Sequence, residues 1–320
     1  MKKTLVIHTG GTISMKENPD GSVVETDSHP LSNADLLKTH SIEEENVFHL
    51  PSPHITPPHM LTLANYIKEK ASNGTYAGIV VTHGTDTLEE TAYFVDLCVN
   101  TTVPIVFTGA MRSSNEIGSD GLYNLICAIR VASHHKSKQR GVLVVMNDEI
   151  HTAQYVTKTS TSNVATFQSP QFGPVGMVTK QDVYYYQKTY HEEIFDISAV
   201  SKNVLLLKAY AGMPKELIEM LDPAKTDGLI IEGLGQGNVP PTIVPAIQHL
   251  LQHNVVVLLV SRCYKGIVQP TYQYEGGGRT LVDKGVIFAN HLNGPKARLK
   301  LMLLLENHAS HHEMIHAFKD

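Results

Sequence analysis

Six times along the chain a short run of apolar, often β-branched residues ends in a glycine- and hydroxyl-rich break and then gives way to polar–apolar spacing of helical period. The runs are TLVIHTGGTIS at 4–14, GIVVTHGTDT at 78–87, PIVFTGAMRSS at 104–114, GVLVVMNDE at 141–149, GLIIEGLGQGN at 228–238 and VVVLLVSRC at 255–263. Apolar runs without alternation predict strands buried on both faces, and their alternation with helices predicts a mainly parallel sheet covered on each side. Helices are expected at 55–72, 87–99, 120–133, 214–223, 240–252 and 294–307, and proline near the start of two of them suits the first helical turn. The expected fold class is therefore α/β, with a larger N-terminal mainly parallel sheet domain flanked by helices and a smaller C-terminal α/β domain.

A change of texture near 186–214, charged and without helical period, places the boundary. The expected organisation is an N-terminal catalytic α/β domain over 1–190, a linker over 191–212 and a C-terminal α/β domain over 213–320. Residues 15–30 predict a hairpin turning at Pro19-Asp20-Gly21, and beside strand ends such a hairpin can serve as a lid or be an ordinary surface loop.

The length of 320 residues fits two domains, and 42% hydrophobic with 18% charged residues describes a globular chain with a substantial core. With 26 basic and 31 acidic residues, the net charge of −5 supplies no footprint for nucleic acid or anionic lipid. Cys98, Cys127 and Cys263 are scattered and odd in number, which suits a reducing compartment. The opening MKKTLVIHTGG is broken by His8 and Gly10 too early for a signal peptide, and no run is long enough for a membrane span. A cytoplasmic protein without nucleic-acid or membrane partners is expected.

In parallel sheets ligands bind beyond the carboxyl ends of strands, where HTGGT and HGTDT both fall. Thr9, Thr12, His83, Thr85, Asp86 and Thr87 are thus expected around one cleft. On pattern alone Thr12 also suits a turn, and Asp86 an N-cap before Leu88-Glu89-Glu90. Threonine attacks only when a base accepts its proton. Lys158, among Thr157, Thr159, Ser160, Thr161 and Ser162, is either solvated or partly buried beside Thr85 and Asp86. A carboxylate neighbour would keep it charged, whereas burial would drive it toward the neutral form.

TGGTI at 9–13, VVTHGTDTLEETAYF at 80–94, TGAMR at 108–112, SDGLYNL at 119–125, VTKTSTSNVATF at 156–167 and LNGPKARL at 292–299 together resemble the bacterial asparaginase–glutaminase family of threonine amidohydrolases. The blocks keep their order from end to end. The resemblance implies hydrolysis of L-asparagine to L-aspartate and ammonia through a threonine nucleophile and an acyl-enzyme, without metal or other cofactor. It implies Thr12 as nucleophile, with Thr85, Asp86 and Lys158 as the second catalytic group. Ser52 would hold the substrate α-carboxylate, Asp86 the α-ammonium, and Ala110 the leaving amide. Asn238 would approach a neighbouring subunit's site in a homotetramer built from intimate dimers.

The chain departs from the family's pattern in three places. The lid stretch KENPDGSVVET has no tyrosine, Ser22 being nearest to one such position. Pro53 stands where a glutamine often follows the substrate serine, and Glu275 is a shifted counterpart of a late glutamate. An amidase subunit of a tRNA-dependent amidotransferase and a non-catalytic amino-acid sensor are the alternatives. The dinucleotide reading of GLGQGN lacks its third glycine and its acidic ribose partner. His308, His312 and His316 would share a face if helical, beside His311 and Glu313, and more simply decorate an exposed end.

Overall fold

The computed structural model describes residues 2–25, 41–189 and 193–319. The chain divides into two compact units, 1–194 and 195–320.

In the first unit the chain runs through β1 (Lys3–His8), a hairpin of β2 (Met15–Glu17) and β3 (Val23–Glu25), then β4 (Ile42–Asn46), α1 (Pro57–Ser72), β5 (Tyr76–Thr82), α2 (Leu88–Cys98), β6 (Ile105–Thr108) and α3 (Gly121–Ser133). It continues through β7 (Val142–Met146), β8 (Glu149–Thr152), β9 (Thr157–Lys158), β10 (Phe167–Gln168), β11 (Gly176–Val178) and β12 (Val183–Tyr185). Eight strands form one sheet in the order β12-β11-β8-β7-β6-β5-β1-β4. From β7 to β4 every neighbouring pair is parallel, and from β7 to β12 the pairs are antiparallel. The central strands are apolar because both faces are covered: Leu5, Val6 and Ile7 of β1 and Ile79, Val80 and Val81 of β5 are all fully buried. One face packs Val6, Val80, Val106, Leu143 and Val145 against Leu125, Ala128, Ile129 and Ala132 of α3.

Local signals set the helix starts. Thr56 and His59 form a reciprocal cap ahead of Pro57, whose missing N–H costs nothing in the first turn of α1. The hairpin closes through Asn18, whose N–H donates to Ser22 O at 2.7 Å, with Gly21 at φ 82°. The rest of the expected lid, residues 26–30, lies outside the described residues.

The second unit is a smaller α/β body: β13 (Val204–Lys208), α4 (Glu216–Glu219), β14 (Gly228–Gly233), α5 (Val244–Gln252), β15 (Val256–Ser261), α6 (Gly278–Asp283), β16 (Ile287–Phe288), α7 (Gly294–Glu306) and α8 (His311–Ala317). Its four strands, β13-β14-β15-β16, are all parallel. β13 lies within 191–212, the stretch expected to be a linker; its Leu205, Leu206 and Leu207 pair in register with Leu229, Ile230 and Ile231 of β14. After β14 the chain makes a bridge between Leu234 and Asn238, and α5 begins only at Val244, so no helix N-terminus follows the glycines of GLGQGN directly. His308 precedes α8 with φ 53°, which breaks the helical spacing toward His312 and His316. No described helix is long and apolar enough to cross a membrane.

Candidate active site

Parallel register aligns the ends of three adjacent strands. His8 lies opposite Thr82, and Thr82 opposite Thr108, so TGGT, HGTDT and TGAMR emerge side by side. Hydrogen bonds tie the first two together at their exit: Thr9 N–H and Thr9 Oγ1 both donate to Thr82 O, at 3.2 and 2.8 Å.

Glycines then let backbones meet where any side chain would collide. Gly10 (φ 102°) and Gly11 (φ 86°) adopt left-handed geometry. A Cβ on Gly10 would lie 2.5 Å from Leu50 O, and one on Gly84 would lie 2.7 Å from Ser52 Cβ. A Cβ on Gly109 would come within 2.6 Å of His83 O and 3.2 Å of Thr85 Cγ2. The turn carrying Thr12, the loop carrying Ser52, the Thr85–Asp86 step and the turn carrying Ala110 are therefore packed backbone to backbone. Thr12 opens a single helical turn closed by Ser14 N–H to Gly11 O at 2.8 Å.

Ser52 and Thr85 are buried, Thr12 is partly exposed and Asp86 is exposed. Asp86 N–H donates to Ser52 Oγ at 3.2 Å and Thr87 Oγ1 donates to Ser52 O at 2.7 Å. Because Ser52 Oγ accepts from the backbone, its own proton can be directed at an anionic ligand. Lys158, on β9, extends its ammonium to Thr85 Oγ1 at 3.0 Å and to Asp86 Oδ1 at 2.7 Å. Its side chain is 18% exposed against 60% for Asp86, so the pair sits at a rim with the carboxylate outward. The alternative of a solvated Lys158 is thereby removed.

His83 is wholly buried and its Nδ1 donates to Gly84 O at 2.8 Å. Burial pushes its pKa down to about 4, leaving a neutral imidazole that holds the turn rather than trading protons near neutrality. In the hairpin, Ser22 Oγ donates to Asp20 Oδ1 at 2.6 Å, so the hydroxyl nearest the missing lid tyrosine is committed within its own turn.

The stretch SDGLYNL has no role assigned from the sequence alone. Asp120 takes the N–H groups of Met111 and Arg112 at 3.1 and 3.0 Å, while Asn124 Nδ2 donates to Gly109 O at 3.0 Å and to Asp120 Oδ2 at 2.9 Å. These two residues hold both sides of Ala110. The signal was legible as Asp and Asn four apart at a helix start, the spacing that puts both on one face. Asn115 similarly grips the hairpin, accepting from Glu17 N–H at 2.7 Å and donating to Glu17 O at 2.8 Å. Asn238 belongs to the second unit, where its Oδ1 accepts from Gly278 N–H at 3.1 Å. Glu275 is exposed in the same unit.

Residues 3–191 match the family model described as Asparaginase, N-terminal, and residues 203–318 the one described as Glutaminase/Asparaginase C-terminal domain. A probable L-asparaginase of Deinococcus radiodurans is 39% identical over 99% of this chain and 97% of its own length. An L-asparaginase of Bacillus licheniformis is 34% identical over 96% of each. The crystal structure of a probable cytoplasmic L-asparaginase from Campylobacter jejuni superposes with a TM-score of 0.90 at 28% identity, covering all of both chains.

Proposed function

Since the chain belongs to the asparaginase family, we propose that it hydrolyses L-asparagine to L-aspartate and ammonia, with the residues gathered at the ends of β1, β5 and β6 as its catalytic machinery. The observation that carries this reading is the contact of Lys158 Nζ with both Thr85 Oγ1 and Asp86 Oδ1, which joins residues more than seventy positions apart into one polar row.

Thr12 Oγ1 gives up its proton as it attacks the side-chain carbonyl carbon, forming a C–O bond and a tetrahedral oxyanion. Collapse breaks the C–N bond, and the nitrogen takes up that proton and leaves as ammonia. Water then adds to the ester, aspartate departs and the Thr12 hydroxyl is restored. The Lys158 ammonium favours negative charge developing on Thr85 Oγ1, which suits Thr85 to relay a proton within the site. Ser52 binds the α-carboxylate, Asp86 the α-ammonium, and the Ala110 turn the departing amide. This site needs no metal or organic cofactor. Asn238 of the partner subunit completes the site in a homotetramer, and the protein works in the cytoplasm.

Ammonia release from purified enzyme, followed on asparagine and glutamine over a range of concentrations, tests the activity, and Thr12→Ala tests the nucleophile. Binding of asparagine without ammonia release would mark a sensor and overturn the proposal.

A further inference from the structure

Lys158 stands on a weak platform. β9 and β10 are each two residues long and, among the described residues, pair as strands only with one another, with Phe167 opposite Lys158, Gln168 opposite Thr157 and one further bond from Thr159 N–H to Thr166 O at 2.8 Å. A ladder this short does not hold its shape alone. Yet the Lys158 ammonium, at the end of a four-carbon stem with many rotamers, meets two acceptors at once, so its Cα must be anchored.

The anchor is visible on the other side of the same residue. Lys158 N–H donates to Glu89 Oε2 at 2.6 Å. Glu89 is 8% exposed and is the second residue of α2, where the helix N-terminus favours a carboxylate. It also follows Asp86 by three positions, on the chain segment that delivers Thr85. One short segment thus holds Lys158 at both ends, with Asp86 on the ammonium and Glu89 on the backbone. A charge-assisted bond of this length is strong and directional.

We infer that Glu89 is a positioning residue for catalysis, fixing the β9 backbone so that the Lys158 ammonium reaches Thr85 and Asp86 together. This rests on the reading of Lys158 as a catalytic group. In this role Glu89 bears on the reaction through Lys158. Displacing a catalytic group by about 1 Å costs on the order of a hundredfold in rate, so loss of this anchor is felt in turnover before binding.

Four variants of the full-length enzyme test the inference: Glu89→Ala, Glu89→Gln, Lys158→Met and the double variant Glu89→Ala/Lys158→Met. Steady-state kinetics are read alongside hydrogen–deuterium exchange at the Lys158 amide. Glu89→Ala should lower kcat by about tenfold or more with little change in KM and should speed exchange at that amide. Glu89→Gln keeps an acceptor oxygen and should recover most of both. In the Lys158→Met background Glu89→Ala should cost almost nothing further. Should Glu89→Ala fail to fold, Glu89→Asp keeps the charge but retracts the oxygen, and should show the same losses. An unchanged kcat with a still-protected amide, or an equal fold-loss in both backgrounds, overturns the inference. A fully active Lys158→Met would instead remove the catalytic reading of Lys158, while amide exchange judges the grip of Glu89 separately.

Discussion

Gly11 and Gly84 touch through their main chains: a Cβ on Gly11 would lie 2.2 Å from Gly84 Cα and 2.4 Å from Gly84 N. Nothing flexible is available to yield, and φ at Gly11 is 86°. Gly11→Ala should therefore combine backbone strain with a collision, costing about 3 kcal/mol or more and separating Thr12 from Thr85. Gly21→Ala supplies the comparison. Its φ is 82°, but the nearest atom to an added Cβ is Glu17 Oε1 at 4.0 Å, so only the strain of about 1 kcal/mol applies. Thermal unfolding of the two variants should rank them in that order.

Lys158→Met should divide activity from stability. The Lys158–Asp86 pair lies at the rim, with Asp86 largely in solvent, and pairs of this kind contribute about 0–1 kcal/mol. The melting temperature should move by no more than a few degrees. Turnover should fall about 10²- to 10³-fold, the usual range for losing a group that stabilises developing negative charge. Steady-state rates beside a melting curve check both halves, and an unchanged rate would make Lys158 a structural residue.

Asp120→Ala should strip the Ala110 turn of its support, leaving the Met111 and Arg112 N–H groups without the carboxylate they donate to. Loss of such charge-assisted bonds costs about 2 kcal/mol, and kcat should fall because the Ala110 turn, proposed above to face the departing amide, loosens. Asp120→Asn retains one oxygen and should be milder on both counts. Urea midpoints and initial rates provide the measurement.

His83 predicts a pH dependence of definite sign. Its folded pKa of about 4 lies below the ordinary 6.5, so above pH 6.5 it is neutral in both states and imposes no penalty. As pH falls from 6.5 toward 4 the unfolded chain gains a proton that the folded chain refuses, and stability declines by about 3 kcal/mol across that window. His83→Asn keeps a donor for Gly84 O and cannot titrate. Denaturant midpoints at pH 4.5 and 7 should differ less in this variant than in the natural protein; equal differences would contradict the assignment.

How much could be read from the residues alone follows from where each signal resides. β1, β5, β6, β7, β14 and β15 were legible because burial on both faces demands uninterrupted apolar side chains. β4 was not, since its Glu43 and Glu45 are satisfied by partners remote in sequence. Lys3 Nζ and Tyr76 Oη meet Glu43 at 3.2 and 3.1 Å, and Lys70 meets Glu45 at 2.7 Å alongside Tyr66. β13 falls inside the expected linker because the charged residues before it hide a run of five residues whose pairing with β14 exists only in the fold. The glycine turns were legible as turns, but their reason, backbone against backbone, exists only in the folded state. For Lys158 the residues alone leave two readings open, solvated or partly buried beside Thr85 and Asp86, because burial and pairing are both tertiary properties.

The sheet order β5-β1-β4 has a kinetic corollary. β1, the first strand made, waits for partners that begin 39 and 73 residues after it does, and no hairpin can bring them to it. The bonds that define the polar row are equally remote, spanning 34 residues from Ser52 to Asp86 and 73 from Thr85 to Lys158. Chains dominated by such long loops fold slowly, because closure entropy is lost before contacts compensate for it. On dilution from denaturant, helical circular dichroism should return ahead of ammonia release, so regained catalysis times the last stage of refolding.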